Sequence, residues 1–108
     1  KLHKEKKLPE AFFVSGDEKA IAVLKALNDM KIKIPENISV LGMDNIPISE
    51  YFFPALTTIA LNYKKISLRI YEKLNNMMSG TKEYSEEIPC EIIERESVKT
   101  CFWAKNLK

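Results

Sequence analysis

The sequence predicts an α/β fold, with a parallel sheet flanked by helices, from three observations. Residues 38–43 form a nearly continuous apolar run, the pattern of a parallel strand covered on both faces. Residues 11–14 form a second short apolar run, and the segment between the two repeats its apolar residues at helical spacing. Strand, helix and strand within about 30 residues have the length of a right-handed βαβ crossover. The two strands are therefore expected to be parallel neighbours.

The composition is that of a soluble globular protein. Hydrophobic residues make up 45% and charged residues 30% of the 108 positions, and no apolar run approaches the roughly 20 residues of a membrane span. No membrane partner is expected. A doubly wound α/β domain usually contains more strands than a chain of this length supplies, so the sequence is expected to be part of a larger domain.

Charge and cysteine content give little support for binding of nucleic acid, metal or cofactor. The net charge is +2, and the basic cluster in residues 4–7 is interrupted by an acid. Cys90 and Cys101 form no CxxC pair and have no metal-ligand spacing with His3. We therefore expect no metal, no cofactor and a reducing, cytoplasmic location, with His3 on the surface.

The segment after the first strand predicts a capped amphipathic helix. Ser15 and Glu18 have the spacing of a capping box with Ser15 as the N-cap, while Asp17 is the alternative cap of a slightly shifted start. Ile21 lies beside the apolar stripe of this helix, and the sequence leaves open whether it belongs to the core or to a subunit contact. The stripe expected to pack on the sheet consists of Ala20, Val23, Leu24, Leu27 and Met30.

Asp44 is the leading candidate for a functional residue. It follows the apolar run of residues 38–43, in which Gly42 allows close approach of the backbone. Ligands of open α/β sheets bind beyond the carboxyl ends of the strands. A carboxylate there accepts hydrogen bonds from sugar hydroxyls or ring N–H groups. The alternative is that Asp44 and Asn45 only form a turn, and the residues alone favour the two interpretations equally.

The second half of the chain predicts two more strands and a long helix. Residues 56–59 are expected to form the third strand. The helix is expected to begin after Asn62 as its N-cap and to run to Met78, with Gly80 as its stop. A polar loop and a final strand over residues 88–98 follow. The apolar face of the helix, which needs a partner surface, consists of Ile66, Ile70, Leu74 and Met77.

Aromatic residues are crowded between the second and third strands. Tyr51, Phe52 and Phe53 are too many for a short loop to leave in water. We expect them to pack on the core or on a second subunit. Phe102 and Trp103 are expected in a C-terminal tail.

Six short motifs are weak singly but specific in their combined order and spacing. They are Pro9-Glu-Ala-Phe, Gly16-Asp17, Ile34-Pro35, Asn37-Ile-Ser-Val-Leu-Gly-Met-Asp44-Asn45, Pro54-Ala-Leu-Thr-Thr-Ile59 and Glu94-Arg95-Glu96-Ser97. Together they extend over residues 8–98. In this arrangement the chain resembles the C-terminal part of the ligand-sensing domain of the LacI/GalR family of bacterial transcription regulators.

The resemblance implies a periplasmic-binding-protein-like fold of type I, in which two α/β subdomains are hinged around a ligand cleft. Residues 1–59 then belong to the C-terminal subdomain. Residues 60–87 form a crossover helix and loop of the N-terminal subdomain, and residues 88–108 are the return strand and tail. The helix-turn-helix head of the family lies upstream of this sequence, so operator DNA is an expected partner only through that missing part.

The resemblance also assigns candidate ligand-binding residues. Asp44 matches the family acid that contacts the effector, and Tyr63 lies where the family places an aromatic residue against the ligand from the other subdomain. Gly16 replaces an asparagine that often binds sugar, so contact there passes to backbone or water, or the ligand is not the usual hexose. Asp17 matches the second member of that pair, and a cap or strand-end organiser is favoured over direct ligand contact.

The implied function is effector binding and dimerisation in a LacI-type regulator that senses a small polar molecule, either a sugar or a nucleobase. The family places dimer surface at Ile21 and Phe52, so a homodimer is expected. The Gly16-Asp17 pair and the Tyr-Phe-x-Pro-Ala-Leu-Thr-Thr run are most similar to purine-repressor-like members. The alternative with the same fold is the sugar-binding protein of an ABC transporter.

An enzyme is not expected from these residues. No nucleophile, base and orienting acid occur in a recognisable arrangement, and no glycine loop for phosphate is present. Asp44 and Asp17 are similar in type to the paired carboxylates of an enzyme active site or to the ligands of a magnesium ion. Such a site would need more oxygen ligands.

Overall fold

A computed structural model describes residues 7–100, in which helices and strands alternate along the chain. The elements are β1 (Ala11–Phe13), α1 (Asp17–Asp29), β2 (Ser39–Met43), α2 (Ile48–Tyr51), β3 (Thr57–Ala60), α3 (Tyr63–Met78) and β4 (Glu91–Ile93). The strands form a sheet in the order β1-β2-β3-β4. The first three are parallel, and β4 is antiparallel to β3. This arrangement confirms the predicted α/β class.

The hydrophobic core lies between α1 and one face of the sheet. Its buried members are Ala20, Leu24, Leu27, Ile38, Val40 and Leu56. The three from α1 belong to the predicted apolar stripe, and Val23 of the same stripe packs against them. The prediction is thus confirmed for four of its five residues, whereas Met30 is 38% exposed. Because full burial of one leucine side chain contributes roughly 2 kcal/mol, this small cluster is the main apolar contribution that fixes α1 on the sheet.

The central strand β2 alternates in burial. Val40 and Gly42 face α1 and are buried, whereas Ser39, Leu41 and Met43 are partly exposed. The sequence predicted a strand covered on both faces. Within residues 7–100, only the face towards α1 is covered. The opposite face carries Phe13 of β1 and Ile92 of β4, and both side chains are more than half exposed.

Helix α1 begins differently from the prediction. Its N-cap is Gly16, with φ 122°, and no side chain caps it. Ser15 as N-cap and Asp17 as the alternative cap were therefore both wrong. Asp17 is the first helical residue, where its charge interacts favourably with the helix dipole. Its carboxylate is directed away from the helix end, towards donors on other elements.

The aromatic loop contains a short helix, α2, that the sequence did not predict. Pro47 precedes it with φ −54°, close to the helical value, which suits the start of a helix. Phe52 packs against the core, but Tyr51 and Phe53 are 75% and 82% exposed. Of the three aromatic residues that were expected to pack, Phe52 is the one that does so within residues 7–100.

The predicted caps of α3 are confirmed. Asn62 Oδ1 accepts a hydrogen bond of 2.9 Å from Lys65 N, and Gly80 follows the last turn with φ 82°. None of the residues of α3 is buried. The apolar face that was expected to need a partner surface is largely open within residues 7–100, since Ile70, Leu74 and Met77 are each more than half exposed.

Ion pairs connect α3 to the polar loop that follows it. Arg69 donates to Glu86 through two nitrogens, and Lys73 Nζ lies 3.1 Å from Glu83 Oε2. The hydrogen bond from Arg69 is the main cause that lowers the pKa of Glu86 below its ordinary value. These groups are in contact with solvent, so each pair adds little stability. Their effect is to hold the loop against α3.

The return strand is shorter than predicted. β4 covers three residues, whereas the sequence predicted a strand over residues 88–98. Beyond it the chain contacts the sheet through both backbone and side chains. Ser97 O accepts from Val40 N at 2.8 Å, while Ser97 Oγ donates to Val40 O at 2.6 Å and accepts from Thr57 N at 2.8 Å. This buried hydroxyl joins β2 to β3 and explains structurally why a serine ends the Glu94–Ser97 motif.

Predictions for the chain ends lie outside the described residues, including those for His3, Phe102 and Trp103. No helix of residues 7–100 combines the length and hydrophobicity that crossing a bilayer requires.

Candidate functional site

Asp44 lies immediately after β2, at the carboxyl end of the parallel strands. Its backbone N–H donates to Ile59 O at 2.9 Å, which extends the pairing of β2 with β3 by one step. Asp44 and Asn45 have φ values of 111° and 53°. Positive φ is uncommon for residues other than glycine, and Asp and Asn tolerate it best. The chain therefore turns sharply here, and the turn presents the Asp44 side chain at the end of the sheet.

Tyr63 contacts Asp44 directly. The Tyr63 hydroxyl donates a hydrogen bond of 2.6 Å to Asp44 Oδ1, although the two residues belong to different elements. This hydrogen bond, followed by desolvation and by the negative charges of Asp44 and Asp17, raises the pKa of Tyr63 above its ordinary value. The hydroxyl is therefore protonated at neutral pH. Since its proton is directed at Asp44, the lone pairs of the oxygen remain available as acceptors.

Gly16 lies beside the other oxygen of Asp44. A Cβ placed on Gly16 would be 3.7 Å from Asp44 Oδ2. Gly16, Asp44 and Tyr63 are thus adjacent, which brings together three of the four predicted ligand-binding residues. Among the described residues no hydrogen bond is formed to Asp44 Oδ2. The cluster consequently offers a carboxylate oxygen and a phenolic oxygen, both of which accept hydrogen bonds.

Asp17, the fourth predicted residue, lies beneath this cluster and is 0% exposed. Its Oδ2 accepts from Ser49 Oγ at 2.5 Å and from Ile46 N at 3.1 Å. Its Oδ1 accepts from Thr58 Oγ1 at 2.6 Å. A buried carboxylate is tolerated only when its oxygens are hydrogen-bonded in this manner. All three donors are protein groups, so Asp17 is directed into the protein.

Gly42 makes room for that buried carboxylate. A Cβ on Gly42 would lie 2.2 Å from Asp17 Oδ1 and 2.9 Å from Leu56 Cδ2. Both distances are shorter than van der Waals contact, so a larger residue would displace Asp17 or Leu56. The sequence predicts close approach of the backbone at Gly42, but it does not identify the Asp17 carboxylate as the group that approaches.

Sequence reasoning missed three residues that support the turn: Ser49, Thr58 and Arg95. Thr58 Oγ1 accepts from Asn45 N at 3.3 Å, in addition to its hydrogen bond to Asp17. Arg95 donates from Nη2 to Asn45 Oδ1 and from Nη1 to Leu56 O, both at 2.8 Å. Thr58 and Arg95 belong to motifs that carried the family resemblance, and that was the available signal for them. Nothing in the sequence distinguished Ser49.

The candidate dimer residues have a different environment. Ile21 and Phe52 are partly exposed, and both pack against the core cluster. The side-chain amide of Asn28, near the end of α1, donates to Phe53 O at 3.4 Å and so ties α1 to the segment after α2. Tyr51 and Phe53 extend the apolar surface of this region.

Two cavities of the described residues lie away from this cluster. One cavity of about 430 Å³ is lined by Ala60, Leu61, Asn62, Pro89, Cys90 and Glu91, where the chain leaves and re-enters the sheet. Another of about 430 Å³ lies over the open face of the sheet. The cluster of Gly16, Asp44 and Tyr63 lines neither of these two cavities. Within residues 7–100, no group of three or more His, Cys, Asp or Glu residues is arranged to hold a metal ion.

The sequence matches a known protein family and several repressors. Residues 1–98 match the family described as periplasmic binding protein-like domain. The transcriptional repressor PurR of Vibrio atlanticus is 37% identical over 95 residues, which cover 85% of this chain and 28% of that protein. PurR of Histophilus somni is 35% identical over 102 residues, covering 93% and 31%. The chain thus spans about 30% of the length of the curated relatives it matches.

Solved structures of LacI-family regulators share the fold. A lac repressor dimer bound to operator and the anti-inducer ONPF superposes with a TM-score of 0.82 at 22% identity, over 92% of this chain and 35% of that one. A sugar-binding LacI-family regulator from Escherichia coli, complexed with phosphate, gives 0.75 at 29% identity, over 90% and 35%. A related regulator from Alkaliphilus metalliredigens, complexed with D-xylulofuranose, gives 0.69 at 30% identity, over 84% and 35%.

Proposed function

Because this chain belongs to the family of periplasmic binding protein-like domains and matches its LacI/GalR regulators, we propose that it is part of the effector-sensing domain of a LacI-type transcriptional regulator. The observation that carries the proposal is the convergence of Asp44, Gly16 and Tyr63 at the carboxyl end of β2. Ligands of open α/β sheets bind at this end. The relatives whose sequences match are repressors, which favours a regulator over the binding protein of a transporter.

The effector is a small polar molecule with hydrogen-bond donors. Asp44 Oδ2 and the lone pairs of Tyr63 Oη are acceptors, so they suit sugar hydroxyls or the ring N–H groups of a nucleobase. A carboxylate also disfavours an anionic group close to it. One solved relative holds D-xylulofuranose, a sugar whose hydroxyls are donors of this kind. Gly16 leaves Asp44 Oδ2 accessible, where a longer side chain would lie against it.

We propose that the chain crosses between the two subdomains twice. It leaves the sheet after β3 and returns to it at β4. In this division residues 1–59 belong to one subdomain, residues 60–87 cross to the other, and residues 88–108 return. The exposed apolar face of α3 supports it, because such a face requires a covering surface. We place the hinge at the cavity lined by residues 60–62 and 89–91, where the chain leaves and re-enters the sheet.

In the proposed mechanism, regulation depends on a difference in effector affinity between two relative orientations of the subdomains. An effector that contacts both subdomains stabilises the orientation in which those contacts form. That orientation sets the spacing of DNA-binding heads, which lie outside this sequence. The Tyr63 hydroxyl, at the first residue of α3, already contacts Asp44 at the end of β2, and in the proposed division this hydrogen bond joins the two subdomains.

The experiment is a thermal-shift screen of the full-length protein against sugars, purine bases and sugar phosphates. A compound that binds the folded state raises the melting temperature. We expect a sugar or purine to do so, and Asp44→Ala to abolish the shift. Glu36→Ala is the matched control, since this exposed carboxylate precedes β2 and lies at the opposite end of the strand. A shift that survives Asp44→Ala, or no shift with any sugar or purine, would contradict the proposed site.

A further inference from the structure

We infer that Asp17 is a positioning residue, which acts through Thr58 and Ile46 to fix the turn that presents Asp44, and that it does not touch the effector. The inference rests on the proposed function of Asp44. Its basis is the set of hydrogen bonds from Ile46 N, Ser49 Oγ and Thr58 Oγ1 to the Asp17 carboxylate, which join α1 to three other segments.

Direct contact between Asp17 and an effector is opposed by its burial. The residue is 0% exposed, and Gly42 is packed so closely that a Cβ there would overlap Asp17 Oδ1. Both carboxylate oxygens already have protein donors. An effector reaching Asp17 would have to displace the Ser49 or Thr58 hydroxyl, and removal of a donor from a buried charge is costly.

The turn after β2 needs support of this kind. Asp44 and Asn45 both have positive φ, which is unfavourable for residues with a Cβ unless surrounding contacts hold the conformation. Two consecutive backbone N–H groups of the turn provide the contacts. Ile46 N donates directly to Asp17, and Asn45 N donates to Thr58 Oγ1. The side chains of Asp17 and Thr58, both buried, thus accept hydrogen bonds from the backbone of the turn.

The Thr58 hydroxyl is the connecting group. It accepts from Asn45 N and donates its single proton to Asp17 Oδ1. Because a hydroxyl can do both at once and a methyl group can do neither, Thr58→Val removes the connection while keeping the shape of the side chain. Thr58→Ser keeps the hydroxyl and loses only a methyl group.

The hydrogen bond from Tyr63 to Asp44 reports the position of Asp44 without any effector. The ¹³Cζ chemical shift of a tyrosine responds to hydrogen bonding of its hydroxyl. The full-length protein is therefore labelled at tyrosine Cζ, and the Tyr63 signal is identified as the one lost in Tyr63→Phe. Asp44→Ala defines the position of this signal when the hydrogen bond is absent.

We expect Thr58→Val to move the Tyr63 signal most of the way to its position in Asp44→Ala, and Thr58→Ser to leave it near the wild-type position. A folded Thr58→Val protein with an unchanged Tyr63 signal would overturn the inference. If Thr58→Val does not fold, Asp17→Asn replaces it, because the amide loses one acceptor oxygen and must release at least one donor. The same shift is expected there, and an unchanged signal again overturns the inference.

This readout separates the two proposals. The Tyr63 signal is measured in the absence of any sugar or purine, so it fails only if Asp17 and Thr58 do not position Asp44. The thermal-shift screen fails only if the Asp44 cluster is not the binding site. A purely structural role for Asp17 would lower the melting temperature of the variants but would leave the Tyr63 signal of the folded protein in place.

Discussion

The Tyr63 hydroxyl lies 2.6 Å from Asp44 Oδ1, and this hydrogen bond joins the first residue of α3 to the end of β2. The contact bridges 19 positions of sequence. Its consequence is that one oxygen of the leading candidate residue is already occupied. In the proposed site, the acceptors left for an effector are therefore the second oxygen of Asp44 and the hydroxyl oxygen of Tyr63.

Replacement of Tyr63 by alanine is expected to weaken effector binding by about tenfold, which corresponds to about 1.4 kcal/mol, the size of one good hydrogen bond. The fold should be little affected, because the Tyr63 side chain is 51% exposed. Titration calorimetry with the compound found in the thermal-shift screen measures the effect. Tyr71→Ala, on an exposed part of the same helix, is the control and should bind normally. Retained affinity in Tyr63→Ala would remove Tyr63 from the site.

The raised pKa of Tyr63 predicts a pH dependence of stability on the alkaline side. Its folded pKa lies above its unfolded value, so the folded state keeps the proton when the unfolded state has lost it. The contribution is complete below the unfolded pKa of about 10 and is lost as the pH rises through the folded pKa. Urea unfolding at increasing alkaline pH should therefore show a steeper loss of stability in wild type than in Tyr63→Phe. Parallel pH profiles would contradict this prediction.

Gly16→Ala is expected to lower the free energy of unfolding by about 1–2 kcal/mol, because alanine at φ 122° is strained. Gly80 is a matched control, since it has φ 82° and would place its Cβ in open space. Gly80→Ala should therefore cost a similar amount. Only Gly16→Ala should also weaken effector binding, because its added methyl group lies beside Asp44 Oδ2. Equal affinity in the two variants would exclude Gly16 from the site.

The full-length protein is expected to be a homodimer with Ile21 and Phe52 in its interface. Phe52→Ala should weaken association at least tenfold, because aromatic residues dominate the energetics of interfaces. Sedimentation velocity over a range of concentrations measures it, and a thermal melt of the same variant reports separately on the contact of Phe52 with the core. Tyr71→Ala, exposed on α3, serves as the control. A wild-type protein that remains monomeric at all concentrations would refute the prediction.

The loop of residues 81–87 is expected to loosen when the ion pairs of Glu86 are removed. Glu86→Gln takes away one negative partner of Arg69 and Lys73 but leaves the pair of Lys73 with Glu83, so trypsin should cleave after Lys82 moderately faster than in wild type. Glu87→Gln is a neighbouring exposed control and should cleave at the wild-type rate. The lowered pKa of Glu86 means that the pairing is complete above the ordinary glutamate pKa and is lost as the pH falls through the lower folded value. Acid should therefore loosen the loop of the wild type as Glu86→Gln does at neutral pH, which amide hydrogen exchange of residues 81–87 measures in place of trypsin.

Local features of this protein were predictable from sequence. The ends of α3 at Asn62 and Gly80, and the stripe of α1 that contains Leu24 and Leu27, depend on residues only a few positions apart. Capping groups and helical periodicity act over that range, so their pattern is visible in the sequence. Asp44 was a candidate because it follows the apolar run of β2, whereas Gly16 and Tyr63 were assigned by the family resemblance. Their role in ligand binding remains a prediction.

Only the tertiary structure decided what Asp17 contacts. In sequence it has the place of a helix cap, but its donors are Ile46, Ser49 and Thr58, which lie 29, 32 and 41 positions away. A carboxylate satisfies its hydrogen bonds with whichever donors surround it after folding, and local sequence does not specify donors so distant. The sequence by itself determined β1 to β3, α1 and α3 and the apolar face of α1, but not α2 or the short length of β4. Packing decided which polar groups meet at the end of the sheet.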